Sequence, residues 1–189
     1  ADTRESMCLM IESAARANGL PLEFFARVIW QESRFQANAV GPRTRSGVRA
    51  LGIAQFMPGT AAERRLLDPF DPVQALPKSA EFLAELRDRF GNLGLAAAAY
   101  NAGPQRVRGW MAGTRTMPTE TRRYVLAITG TPVDEWARGA KGEPDSPARP
   151  DCRQLMAMLK RAPKPFVEKL QERINLVAAS PWGIQLSAG

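Results

Sequence analysis

Fifteen prolines and 15 glycines are scattered through a 189-residue chain that is otherwise rich in Ala, Leu, Arg, Glu, Lys and Met. Those residues favour helix, and runs of β-branched residues are scarce. Each proline or glycine interrupts the helix that reaches it. The sequence is thereby restricted to many short helices packed on one another. Hydrophobic residues make up 44%, so the chain is not of the disordered class. Its length suits one domain with a well-filled core and some extra chain. No apolar run approaches the ~20 residues of a membrane span.

The pattern locates the pieces. Met7 to Asn18 reads as an amphipathic helix stopped by Gly19, and Pro21 opens a second one carrying Phe24, Phe25, Val28 and Ile29 at helical spacing. Residues 34–54 are loop-like. Pro58-Gly59-Thr60 starts a short helix, Asp71-Pro72 another, and Pro77 to Phe90 a longer one. Asn92 is placed to cap the alanine-rich run Leu93 to Ala99. Pro104 to Met111, Thr119 to Ile128 and Pro132 to Arg138 complete an all-α domain over residues 1–139. The stretch GAKGEPDSPARP at 139–150 reads as a linker, and residues 140–180 as linker and helical extension with helices at 151–161 and 166–179. The last nine residues, PWGIQLSAG, alternate like a lone β-strand, which is not stable alone.

Composition excludes several chemistries. There is no histidine, so Ser-His-Asp and Cys-His sites are absent and a zinc site is disfavoured. No P-loop or dinucleotide-binding glycine motif occurs, and no metal or cofactor is expected. Lys plus Arg number 26 against 19 Asp plus Glu, a formal +7. That charge serves solubility, or attracts an anionic polymer such as a cell wall or nucleic acid. No helix carries a continuous basic stripe, which ranks nucleic acid low. Cys8 and Cys152 lie far apart and outside any CxxC pair. In a reducing compartment they are two ordinary thiols; in an oxidising one they are able to close a long loop worth up to ~5 kcal/mol.

Carboxylates and hydroxyls are left to carry any chemistry. The stretch RVIWQESRFQANAV ends an apolar helical stripe in Glu32-Ser33. An acid beside such a stripe has its pKa raised by desolvation. Three further stretches stand out: ALGIAQFMPGTA at 50–61, AAAAYNAGPQRVRGW at 96–110 and TETRRYV at 119–125. Each has a plain structural reading. Glu32 is a helix-end acid paired with Arg34 or Arg27, Gln55 a polar loop residue, Tyr100-Asn101 a helix stop, and Glu120 a first-turn acid.

Taken in order, the four stretches are more specific. The dipeptide ES, then G-x-x-Q-x-M-P-G-T-A, A-x-Y-N-A-G-P and E-T-x-x-Y-V, resemble the lytic transglycosylases of the goose-type-lysozyme-like superfamily over roughly residues 7–130. The resemblance implies an all-α, lysozyme-like fold whose groove binds the glycan strand of peptidoglycan. It implies Glu32 as catalytic acid, Ser33 as its orienter and Ser46 near it. Gln55 and Met57 are implied as substrate contacts, with Tyr100 near the cleaved bond, Asn101 on an acetamido sugar, and Glu120 and Tyr124 at the groove floor. The motif here reads Gly52-Ile53-Ala54-Gln55 where the family has G-L-M-Q, so the smaller Ala54 is expected to widen the sugar site. Arg49-Ala50 stands where a Gly-Ala pair is common. The loop GPRTRSGVR at 41–49 sets three arginines by the expected groove, as carboxylate contacts or as a solvated loop.

The reaction implied is cleavage between MurNAc and GlcNAc with formation of 1,6-anhydro ends, Glu32 serving as acid and then base. A hydrolytic muramidase and a non-catalytic peptidoglycan-binding module are the alternatives, and salt-dependent DNA binding is the reading that rests on charge alone. The resemblance also implies a monomer in the periplasm with its signal peptide removed, where the bonded alternative for Cys8 and Cys152 is favoured. The closing PWGIQLSAG resembles the opening strand of a SPOR domain, a small peptidoglycan-binding module.

Overall fold

Many of the prolines and glycines fall at helix ends: Pro58, Pro72 and Pro104 open helices, and Gly91 and Gly130 close them. The computed structural model describes residues 3–139, with the exception of 45, and residues 152–161. Among them nine helices follow one another: α1 (Thr3–Ala17), α2 (Leu22–Ser33), α3 (Pro58–Glu63), α4 (Pro72–Phe90), α5 (Leu93–Ala102), α6 (Pro104–Met111), α7 (Thr119–Thr129), α8 (Val133–Ala137) and α9 (Cys152–Arg161). There is no strand among the described residues, only the isolated bridges Val40–Leu51 and Leu51–Phe56. None of the described helices is long and apolar enough to cross a membrane. The expected helix at 166–179 and the strand at 181–189 lie outside the described residues.

Caps set several boundaries. The Asp71 carboxylate accepts from the Val73 N–H at 2.9 Å and Pro72 occupies the first turn of α4. Asn92 Oδ1 accepts from the Leu95 N–H at 2.8 Å and caps α5, directly after Gly91 caps the end of α4. One boundary differs from the sequence reading. Pro72 to Phe90 is a single helix with Pro77 inside it, not two helices. Pro77 lacks the N–H that would bond the Val73 carbonyl, a loss of about 3 kcal/mol in a helix interior. Both residues are exposed, so that carbonyl is not sealed in the core. The stripe Ala75, Leu76, Ala80, Leu83 and Leu86 is buried on the other side and holds the helix together across the proline.

The centre of the domain is α5. All residues from Leu93 to Ala99 are buried, and α4, α6, α7 and α8 pack around them. Alanine and glycine make this helix thin enough for four neighbours to approach. The nearest approach is at Gly94, where an added Cβ would lie 2.1 Å from the Trp136 ring of α8. Trp136 is fixed there at both ends, its indole N–H donating to Thr129 Oγ1 at 3.1 Å and its carbonyl accepting from Asn92 Nδ2 at 3.1 Å.

Around this centre α1 packs on α2 and α4, and α9 lies across α1 and α2. Cys8 of α1 and Cys152 of α9 are both buried in one small cluster with Met7, Leu22 and Phe35. Arg153 pairs with Glu5 across the same seam.

Gly94→Ala should cost about 1–3 kcal/mol in urea unfolding, because an overpacked core must shift. Gly59→Ala, where nothing lies within 4 Å of the added carbon, should cost little. Equal stability of the two variants would show that the Trp136 contact does not constrain α5.

Candidate active site

Glu32 takes its position from both ends of α2. Phe24, Phe25, Val28 and Ile29 are buried and anchor the helix, which places Glu32 in its last turn. The helix stops at Arg34, whose φ is 56°, and Phe35 follows at φ 64°. Two consecutive non-glycine residues in the left-handed region are unusual. Stacking holds them: the Arg34 guanidinium lies 4.7 Å from the Trp30 ring centroid, and the Trp30 and Phe35 rings are 5.3 Å apart.

Across from α2, α7 brings Tyr124, whose hydroxyl donates to Glu32 Oε1 at 2.5 Å. Arg27 pairs with Glu23 instead of Glu32, and no cation among the described residues pairs with the acid. Glu32 is thus not a salt-bridged helix-end acid. Burial pushes its pKa up strongly, the Tyr124 hydrogen bond pulls it down, and the Glu120 charge raises it further, for a value of about 7. Some of the residue surface remains open to solvent. The carboxyl is thus strongly desolvated without the residue being sealed off from water. The Tyr124 phenol is itself held well above its ordinary pKa by burial and by Glu32, so it stays a donor.

The other sequence-predicted residues divide into those drawn toward this acid and those that are not. Glu120 lies one turn before Tyr124 on α7, exposed, and acts on Glu32 through its charge. Tyr100 of α5 is close enough for Glu32 to raise its pKa, after burial. Its hydroxyl donates to the Ala54 carbonyl at 2.8 Å and must therefore accept from Ser79 Oγ at 3.0 Å. Its ring packs against Phe82 at 5.5 Å and Phe56 at 6.4 Å. Tyr100 thus ties α4, α5 and the 52–56 turn together. Asn101 Oδ1 accepts from Thr121 Oγ1 at 2.8 Å, which leaves the Asn101 N–H2 group as the donor for a ligand.

Gln55 serves the loop that carries it. Its φ is 50°, and its Nε2 donates to the carbonyls of Gly52 at 2.9 Å and Ala39 at 3.2 Å. Gly52 has φ 76°, and a Cβ there would lie 1.7 Å from the Pro69 carbonyl oxygen, so only glycine fits. Met57 is half-buried at the entry to α3.

Three expectations need correction. Ser33 is buried, but its hydroxyl donates to the Ile29 carbonyl at 3.3 Å, bonding back along its own helix; Tyr124 is the group that bonds the acid. Ser46 is exposed, and its hydroxyl pairs with Thr44 at 3.0 Å instead of approaching Glu32. Ala54 is fully buried, so its small size is absorbed in the core and does not widen the groove. Of the loop arginines, Arg49 donates to the Gly41 carbonyl at 2.9 Å and so holds the loop itself.

Two residues that organise the site were missed. Thr121 stands in the quoted TETRRYV stretch, and its neighbour Glu120 drew the attention. Ser79 interrupts the apolar stripe of α4, and a lone hydroxyl on a buried face needs a partner. That was its only sequence signal.

The helical domain that carries this acid resembles solved lytic transglycosylases. The 70 kDa soluble lytic transglycosylase of Escherichia coli superposes with a TM-score of 0.54 at 26% identity, over 68% of this chain and 23% of that one. An inactive glutamate-to-glutamine variant of lytic transglycosylase Slt from Pseudomonas aeruginosa gives a TM-score of 0.50 at 24% identity, over 86% and 24%. The fold is the all-α, lysozyme-like one. The transglycosylase SLT domain model matches residues 9–122, and the chain belongs to that family. It is 35% identical over 89 residues to a transglycosylase of Enterobacteria phage PRD1, covering 47% of this chain and 33% of that protein. It is 32% identical over 122 residues to membrane-bound lytic murein transglycosylase F of Desulfosudis oleivorans, covering 61% and 26%. It is 33% identical over 118 residues to the Escherichia coli soluble lytic murein transglycosylase, covering 49% and 18%. The chain spans a third or less of the length of these relatives.

The raised pKa has a thermodynamic consequence. The folded state holds the Glu32 proton to about pH 7, whereas an ordinary glutamate releases it near 4.5. Protonation therefore favours the fold fully below pH 4.5, and that contribution is lost as pH rises through about 7. Glu32→Gln should remove the loss. Between pH 5 and pH 8, urea unfolding should show the variant gaining about 2–3 kcal/mol relative to the parent protein. An unchanged difference at the two pH values would mean that Glu32 is not buried as an acid.

Proposed function

We propose that the chain is a peptidoglycan lytic transglycosylase that cleaves the β-1,4 bond between MurNAc and GlcNAc and leaves 1,6-anhydro ends. The observation that carries this reading is a lone acid of pKa about 7 with no cationic partner among the described residues, held between α2 and α7 by a tyrosine hydroxyl. A usual glycosidase sets two carboxylates ~5–9.5 Å apart. Here Asp68 and Asp71 are engaged as turn and helix-cap acceptors, and Glu120 is exposed. Such a site works if the substrate supplies the second group.

Protonated Glu32 gives its proton to the glycosidic oxygen, which leaves as the GlcNAc 4-hydroxyl. As the C1–O bond breaks, the acetamido oxygen of the same MurNAc stabilises the charge at C1. The Asn101 amide N–H2, oriented by Thr121, is the donor suited to that acetamido group. Ionised Glu32 then removes the proton from the sugar's 6-hydroxyl, whose oxygen attacks C1 and closes the anhydro ring. This regenerates the acid. The internal hydroxyl wins over water by its effective concentration. Trp110, half-buried on α6, offers a ring for a sugar to stack on. Tyr100 and Gln55 contribute by fixing the walls, since the Tyr100 hydroxyl and the Gln55 amide nitrogen are already bonded. No step calls for a metal or a cofactor.

Glu32→Gln should abolish release of fragments from cell-wall sacculi while leaving binding to them. In the parent protein the rate should fall as pH rises through about 7, where Glu32 loses its proton. Retained turnover by the variant would remove Glu32 from the mechanism. Mass spectrometry of the products separates the two reactions: anhydro ends support the transglycosylase, and reducing ends would make the protein a hydrolytic muramidase.

We propose that the protein works in the periplasm, where that substrate is reached. In that setting we propose that Cys8 and Cys152, buried in one cluster, form a disulfide that clamps α9 to α1. Two thiols bond, and their two electrons and two protons pass to a thiol-oxidising disulfide of the compartment. Protein prepared from an oxidising compartment should weigh two hydrogens less than its reduced form and yield a Cys8–Cys152 linked peptide. Full alkylation of both cysteines in denaturant without reductant would refute the bond.

A further inference from the structure

Arginines gather in the segment that runs from α6 to Tyr124 of α7. Between Pro104 and Arg123 the sequence places Arg106, Arg108, Arg115, Arg122 and Arg123 against the single acid Glu120. Arg122 is paired with Asp134 of α8. No carboxylate among the described residues forms an ion pair with Arg106 or Arg115. These two line one open depression of about 490 Å³ with Gly113, Thr114 and Thr116.

The depression is built. The chain leaving α6 wraps back over it, and one carbonyl, that of Gly109, accepts from the Thr114 N–H at 2.8 Å, the Thr114 hydroxyl at 3.0 Å and the Arg115 N–H at 3.1 Å. The absence of a side chain at Gly109 lets the stem of Arg115 lie directly on α6; a Cβ there would sit 2.8 Å from Arg115 Cδ. Met117 is buried just beyond and pins the loop from below. Arg115 stays exposed at the rim of the depression, and Arg106 reaches it from the helix, half-buried. Two like charges converging without a carboxylate between them repel each other, and an anion relieves that repulsion. The guanidinium fork matches a carboxylate in bidentate fashion.

We propose that Arg106 and Arg115 form a binding site for the carboxylates of the peptide stem carried by the glycan. This rests on the reading of the Glu32 site as a peptidoglycan site. The loop bearing the cradle joins α6, with Trp110, to α7, with Tyr124 and Glu120, so it borders the elements that hold the sugar. A stem of about four residues reaches ~13–14 Å when extended, so the cradle need not touch the reacting ring. The site tells stem-bearing glycan from bare glycan and leaves the chemistry to Glu32.

The test compares the full chain with its Arg106→Gln, Arg115→Gln double variant on two substrates: stem-bearing glycan strands and the same strands after an amidase has removed the stems. The double variant should raise KM about five- to tenfold on stem-bearing strands, the scale of partly exposed charge pairs, with kcat unchanged. On bare strands it should match the parent. An equal change on both substrates, or none on either, overturns the proposal while leaving the glycan reading intact. If the parent cleaves neither strand, the glycan reading fails instead. Binding of free stem tetrapeptide, followed by amide NMR shifts at Gly113 to Thr116, decides the cradle separately. Shifts in the parent that the double variant lacks support it. No shifts, or shifts with inorganic phosphate but not with the peptide, overturn it.

Discussion

The hydrogen bond from Tyr124 to Glu32 joins the two helices on which the site depends. It spans 92 positions of sequence, linking the last turn of α2 to the middle of α7. Its energetic role is to moderate. Burial alone would drive the acid's pKa higher, and a neighbouring negative charge pushes the same way. The phenol donates to the ionised form and so brings the group back to about 7, where it holds and releases a proton with similar ease. Tyr124 can do this because it is itself buried and remains protonated. The acid is tuned by a balance of large opposing effects.

That balance requires a stiff setting, which the fold supplies by threading a thin helix through the centre. With alanine and glycine along α5, four helices come close enough to fix one another's side chains. Tyr100 shows what this permits: a single hydroxyl on α5 bonds both Ser79 of α4 and the Ala54 carbonyl of the loop before α3. The same helix ends in Asn101, whose amide is set by Thr121 of α7. Core and site are continuous here: Tyr124, which bonds the acid, is itself a core residue.

Most of this was legible in the sequence, for identifiable reasons. Proline and glycine placed the helices because their backbone limits act locally. Pro77 misled because the stripe of α4 outweighs one lost hydrogen bond. Glu32 and Tyr124 were legible as members of ordered motifs, yet which hydroxyl meets the acid was not. Adjacency in sequence favoured Ser33, but on a helix consecutive side chains point about 100° apart. Ser33 turns inward to the Ile29 carbonyl, while Glu32 points across to α7. Gln55 and Tyr100 show a related limit. A motif marks that a residue matters near a site; it does not separate a side chain that touches ligand from one that holds the wall.

The position of Glu32 at the end of its helix is a further part of the tuning. The last turn of a helix carries the negative end of its dipole, which disfavours a carboxylate there. A glutamate in the first turn, with the same neighbours, would be drawn toward ionisation. Ending α2 immediately after the acid therefore adds to the effect of burial and opposes that of Tyr124. The sharp reversal through Arg34 and Phe35 enforces that ending at a strain of about 1–3 kcal/mol per left-handed residue, offset by their stacking with Trp30. Glycine at either position would relieve the strain, but it would remove one of the rings or the guanidinium that hold the turn. The strained pair is thus the local means by which the sequence keeps Glu32 at the negative end of a helix and facing α7.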